Sequence, residues 1–116
     1  MVKNSFSPAD MDPALWDQVA AAITVLDLDG SILFYNAYAP RILDRKPEYI
    51  GRNVCGLHKP ASAEKIRAML ASYRHGGAQE FSWRLKMEDK EYVVRLCPLM
   101  KGDNIAGAVH VAMLLP

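Results

Sequence analysis

Between Glu80 and Glu88 the sequence alternates strictly. Phe81, Trp83, Leu85 and Met87 occupy one set of positions, and Glu80, Ser82, Arg84, Lys86 and Glu88 the other. A period of two places successive side chains on opposite faces of an extended chain. A strand with one dry face and one wet face belongs to an antiparallel sheet that covers a core on one side only. The rest of the chain must then supply neighbouring strands and a layer to close the dry face.

It supplies both. After the turn "EDK", Tyr92 to Cys97 reads as a strand, "KGDN" as a turn and Ile105 to Leu115 as the last strand. Upstream, Ile23 to Leu28 and Ile32 to Tyr35 are strand-like and meet at Asp29-Gly30, a pair that tolerates the positive φ of a tight hairpin. From Ser62 the period changes. Ile66, Met69, Leu70 and Tyr73 fall at i, i+3, i+4 and i+7, one face of a helix that Gly76-Gly77 ends. Asp12-Pro13 resembles an N-cap with proline at the first helical position, and Leu15, Trp16, Val19 and Ala22 follow at helical spacing. Asn36 fits the N-cap of a short helix, "NAYAPRIL", and Pro47 to Ile50 form one turn closed by Gly51. The expected architecture is α+β: a five-stranded antiparallel sheet flanked by short helices and one longer helix. Residues 1–11 read as a flexible arm and 12–116 as one domain with an N-terminal helix.

A length of 116 residues suits one hydrophobic core, and 51% apolar with 23% charged residues argues against disorder. The net charge of +1 is scattered, so nucleic acid is not an expected partner. Two cysteines are too few for a disulfide scaffold. The N-terminus has no signal-peptide core, and no apolar run reaches the ~18 residues that span a bilayer. The expectation is a soluble cytoplasmic domain without membrane contact.

Catalysis is not expected. The sequence contains no Gly-x-Ser-x-Gly, P-loop or His-Glu-x-x-His pattern and offers no nucleophile–base pair. Asp27 and Asp29 are explained by the hairpin turn. Cys55 and His58 form a lone Cys-x-x-His, short of the about four ligands of a structural zinc site. His75 falls in the last helical turn, where it can meet the helix dipole. His110 alternates with Val109 and Val111; it could face the interior or the outer sheet surface, and surface packing is the expectation. Trp16 is expected to pack on a sheet or a second subunit. His58, just ahead of the long helix, has two readings: a ligand-binding group at the mouth of a cavity, or a loop residue making local hydrogen bonds.

The segment "ITVLDLDGSILFYNAYAPRIL" resembles the opening of a PAS domain. "YIGRNV" is similar to the step before that family's middle helices, and the three closing strands with "IAGAVHVAM" resemble its end. The similarity spans Leu15 to Leu114 and implies the PAS fold. The family usually continues from Asp-Ile-Thr into a signalling helix; "MLLP" stands there instead, so the output linkage is expected to be absent or cut off.

A narrower likeness lies in "LHKPASAEKIRAML", which is similar to the His-Pro-x-x-Ser-x-x-Lys segment of haem-binding, carbon-monoxide-sensing transcription regulators of the PAS class. Their histidine is an axial iron ligand, and the match falls on His58, with Ser62 and Lys65 in register and the proline displaced to Pro60. Those regulators also use a methionine and a cysteine. Here Trp83 and Ala78 fall near those positions and Met87 lies four residues from the first, so a five-coordinate haem or a cavity without haem fits better.

The resemblance therefore implies a sensor that binds haem or another small ligand between sheet and helices. His58, Trp83, Met87, Ile66, Met69 and Leu70 would form the site, with His58 as the metal ligand. It further implies a homodimer and an effector such as a histidine kinase or a transcription factor. The alternative is a cofactor-free dimerisation module with a filled core.

Overall fold

The computed structural model describes residues 12–116; the arm expected over residues 1–11 lies outside them. Helix α1 (Pro13–Trp16) leads into strands β1 (Ala22–Leu26) and β2 (Ile32–Tyr35). Three 3-10 helices follow, Ala39–Arg41, Pro47–Tyr49 and Val54–Leu57, and then helix α2 (Pro60–Arg74). Strands β3 (Phe81–Met87), β4 (Lys90–Lys101) and β5 (Asn104–Leu114) complete the chain. The five strands form one sheet in the order β2-β1-β5-β4-β3, antiparallel at every pairing. The last strand is thus central and joins the two hairpins.

Local chemistry explains where the elements stop. Strand β1 ends at Leu26, two residues before the expected Leu28, because the Asp27 carboxylate accepts from the amides of Asp29 (3.0 Å) and Ser31 (2.8 Å). This Asx-type turn commits the chain to reverse at Asp27, and Gly30 completes it at φ +95°. Helix α1 is only four residues long, so Ala22 lies in β1 rather than on a helix. Helix α2 begins at Pro60 rather than Ser62, since proline at the first helical position needs no amide partner. The β3–β4 turn is Glu88-Asp89, at φ 49° and 65°, the left-handed pair that a two-residue hairpin requires. Strand β4 runs on to Lys101, beyond the expected Cys97.

Asn36 is fully buried, and the helix expected to start at it is only the 3-10 helix Ala39–Arg41, with Tyr38 at its N-cap. The Asn36 Oδ1 accepts from the amides of Ile23 (3.0 Å) and Ala39 (3.1 Å), and its Nδ2 donates to the carbonyls of Ala21 (2.9 Å) and Trp16 (3.0 Å). One side chain therefore ties the turn after α1 to the start of β1 and to the 3-10 helix Ala39–Arg41.

Residues directly opposite in antiparallel strands share a face. The pairings put Thr24, His110, Leu96 and Phe81 in one row, and Ala22, Ala112, Val94 and Trp83 in the next. Leu26, Ala108 and Leu96 on this face pack with Ile66, Leu70 and Tyr73 of α2 in one buried cluster. The Tyr73 hydroxyl donates to the carbonyls of Gln79 (2.8 Å) and Leu96 (3.1 Å), anchoring the helix to β4. Burial, with a smaller push from Cys97 and Glu80, raises its pKa to about 12. At Gly107 an added Cβ would run into the Leu26 carbonyl, so only glycine lets β5 lie this close to β1.

Candidate functional site

The inner sheet face is apolar except where β1 and β5 meet. There Thr24, fully buried, stands directly opposite His110. Arg45, from the loop between the first two 3-10 helices, folds onto the same face and donates from Nε to Thr24 Oγ1 at 3.0 Å and from Nη1 to the Asp44 carbonyl at 3.0 Å. Its side chain is buried, at 7% exposure. Loss of hydration lowers its pKa, partly offset by Asp44 and Tyr35. The Asp44 carboxylate itself accepts from the Tyr49 hydroxyl at 3.3 Å. Among the described residues no carboxylate lies within ion-pair distance of Arg45; the three ion pairs, Arg67–Glu64, Arg84–Glu91 and Arg95–Glu80, all lie on exposed surface.

His110 contradicts the expectation of surface packing: it points inward with Thr24 and Leu96. Strand β5 carries apolar residues on both sides of this histidine, so alternation could not phase it, whereas strand pairing does. Its ring meets Trp83 edge-on, with centroids 6.1 Å apart. Its Nδ1 is buried and has no hydrogen-bond partner. Burial first, and then electrostatic repulsion from Arg45 and the nearby His58, push its pKa down to about 3, against a small raising effect of the backbone of His110 itself. The ring is therefore neutral at physiological pH.

Beside this polar row lies a second apolar cluster, in which Tyr35, Ile42, Leu43, Trp83 and Leu85 pack, partly exposed, against the buried Ala22, Ala39, Val94 and Ala112. A separate open groove of about 370 Å³ follows the free edge of β2, lined by residues including Leu33, Phe34 and Ile50.

The residues expected from sequence divide between these features. Ile66 and Leu70 are buried in the core cluster beneath α2, and Met69 packs against it. Trp83 packs against both core clusters and against His110. Met87 pairs with Lys90 at the tip of the hairpin and packs against neither described cluster. His58 follows the 3-10 helix Val54–Leu57 with an exposed side chain, and its Nδ1 lies 2.8 Å from the Val54 carbonyl. A carbonyl only accepts, so Nδ1 carries the proton and Nε2 presents the lone pair. That is the orientation a histidine ligand requires. Cys55 is buried with its thiol 3.8 Å from the Ala63 carbonyl. Among the described residues, no three His, Cys, Asp or Glu side chains come together as a metal-binding group. Arg45 had not been singled out from sequence. Its burial depends on Thr24, 21 residues earlier, and nothing local marks it.

The chain matches the family model described as "PAS domain" over residues 14–113. It belongs to the PAS domain family. Solved structures with this fold include the C-terminal domain of a Streptococcus mutans protein, with a TM-score of 0.76 and 18% identity, covering 98% of this chain and 90% of that one. A sensory box sensor histidine kinase from Vibrio cholerae matches with a TM-score of 0.64 and 20% identity, over 88% and 86% of the two chains. The PAS domain of the RpfR quorum-sensing receptor of Cronobacter turicensis, solved in complex with BDSF, matches with a TM-score of 0.64 and 20% identity, over 85% and 97%. None of the curated proteins compared matches the chain significantly.

The inward-facing imidazole has a measurable consequence. Its folded-state pKa of about 3 lies below the ordinary 6.5, so between these values the unfolded chain binds the extra proton. Stability contributed by the neutral ring is complete above pH 6.5 and falls as pH drops toward 3, by up to ~1.4 kcal/mol per pH unit. Urea unfolding of the wild type and of His110→Gln at about pH 7 and about pH 5 isolates this term. The wild type is expected to lose about 2 kcal/mol more than the variant; equal losses would mean that the ring protonates freely in the folded chain.

Proposed function

We propose that this PAS domain is a sensor that takes a small molecule between the inner sheet face and the segment running from Ala39 to α2. The observation that carries this reading is an interior left chemically unfinished. A buried arginine that forms no ion pair among the described residues and a buried imidazole nitrogen without a hydrogen-bond partner stand beside an apolar cluster whose outer side chains are only partly buried. Such groups are costly in a core that exists only to be packed. The similar PAS domain of the Cronobacter receptor was solved with BDSF and also with C12:0, which supports a ligand site in this fold.

Occupancy would be passed on through the sheet to a second copy and to an effector. Val93, Val109 and Val111, all half-buried, and the exposed Met113 give the outer face an apolar surface for a homodimer. A kinase-type effector is suggested by the sensor histidine kinase among the similar structures.

Packing over Ala112 distinguishes this reading from a cofactor-free dimerisation module. Ala112→Leu fills space that a sensor keeps for its ligand. The expected result is stability unchanged or raised in urea unfolding. A loss of about 1–3 kcal/mol, the usual cost of overpacking, would show a sealed core and favour the dimerisation module.

A second reading places haem at His58, and it rests on the fixed Nδ1 proton that leaves Nε2 free as a ligand. Bound there, haem would supply an iron centre open to a gas or to a change of oxidation state. His58 would hold the iron, with its ring orientation set by Val54. Haem reconstitution followed by visible spectroscopy tests it. A Soret band lost in His58→Ala is expected; equal haem uptake by both proteins would remove His58 from the role.

A further inference from the structure

The two edges of the sheet are built differently. Strand β3 exposes Ser82, Arg84 and Lys86, and charges on an edge discourage a further strand. Strand β2, at the other edge, carries no charge. The Asn36 amide donates to the Ile23 carbonyl at 3.0 Å, just beyond the pair Thr24–Tyr35. That pattern marks a non-hydrogen-bonded pair, so the amide and carbonyl of Tyr35 point away from β1, toward the free edge. Among the described residues no backbone group bonds them. The edge is closed on either side of them. The Ile32 amide donates to the Arg52 carbonyl at 2.9 Å, and its carbonyl accepts from the Gly51 amide at 2.7 Å. The Ala37 amide donates to Asp17 Oδ1 at 2.8 Å. Tyr35 thus stands in a gap between two plugs. The open groove of about 370 Å³ is lined by Tyr35, Ala37 and Asp17 together with Pro47 and Ile50.

A full strand, such as β2 of a second copy, would collide with both plugs; a few residues of extended chain would not. Among the described residues lining the groove Asp17 alone is charged, and it forms no ion pair with a described residue. Its charge complements a basic group. We propose that this gap is a docking site for a short extended segment of a partner protein, one residue of it paired with the Tyr35 amide and carbonyl and a neighbouring lysine or arginine set beside Asp17. The backbone pairing fixes register, and Asp17 selects basic sequence. Ile50, 47% exposed, gains cover from the apolar side chains of the segment. The site lies at the sheet edge and is independent of what the inner face binds.

In the peptide Ac-Lys-Val-Lys-NH2 a lysine flanks the pairing valine on each side, so one meets Asp17 whichever way the peptide runs. It is titrated at millimolar concentration into the ¹⁵N-labelled 116-residue chain, beside the same peptide with its valine N-methylated and beside Ac-Glu-Val-Glu-NH2. The lysine peptide is expected to shift the Tyr35 and Ala37 amides and to leave the Trp83 indole unmoved. N-methylation removes the donor that meets the Tyr35 carbonyl and is expected to weaken binding about fivefold, the worth of one hydrogen bond. Glutamate in place of lysine is expected to weaken it about threefold, as for an exposed charge pair. Asp17→Asn keeps an oxygen for the Ala37 amide and removes the charge. It is expected to abolish the preference for lysine over glutamate while the N-methyl effect persists. Equal binding of the N-methylated peptide would overturn the strand pairing. A lysine preference that survives in Asp17→Asn would rule out Asp17 as its source, and a Tyr35 amide that no peptide moves would remove the site altogether.

Discussion

The buried amide of Asn36 is the constraint on which the rest of the architecture depends. It accepts from Ile23 and Ala39 and donates to Trp16 and Ala21, so one side chain bonds backbone groups of three segments. Buried peptide groups must find partners, and an irregular crossing of three segments is where they most often fail to. With Asn36 in place, β1 starts at Ala22 and the 3-10 helix Ala39–Arg41 lies against it. That placement brings the following loop, with Arg45, back over Thr24. A residue without this amide would take away the partner it gives the buried Ile23 amide and Ala21 carbonyl.

The polar row follows from sheet geometry more than from any local motif. Strand β5 is inserted between β1 and β4, and its register sets His110 opposite Thr24. Two alanines, Ala108 and Ala112, flank His110 on the same face. Small neighbours let the imidazole sink into the sheet surface and allow Trp83 to reach it across β4. Larger residues at those positions would fill the face and leave no room for a ring or for anything bound beside it. Helix α2 closes one end of this face with Ile66, Leu70 and Tyr73. The other end is closed only in part, by Ile42, Leu43 and Leu85.

Much of this was legible in the sequence, for reasons that differ by element. Strand β3 was plain because its two faces differ in polarity at every step. The turn at Asp27 to Gly30 was legible from residue types that favour reversal, although its exact start depended on two hydrogen bonds to the Asp27 carboxylate. The stripe on α2 identified Ile66, Leu70 and Tyr73 as buried, and they are. The likeness to PAS domains captured the order of elements over nearly the whole chain. The polar site was not legible. In "AGAVHVAM" both faces are apolar, so the histidine could not be assigned to either until β5 was paired. Arg45 sits in a polar loop whose sequence looks exposed, and only contact with a distant threonine buries it. His58 was singled out through resemblance. The structure gives it a defined tautomer and an exposed position, while the buried nitrogen without a hydrogen-bond partner lies deeper, at His110, near the buried Arg45.

The central claim is that a charged guanidinium and an unpartnered imidazole share the interior with a non-protein ligand. An X-ray structure of the purified chain at a resolution that orders water and small molecules addresses this most directly. The account predicts the Arg45 side chain turned inward on Thr24, with ordered non-protein density in hydrogen-bond reach of both its free N–H groups and His110 Nδ1. An Arg45 side chain swung out to solvent, with no non-protein density beside His110, would contradict it.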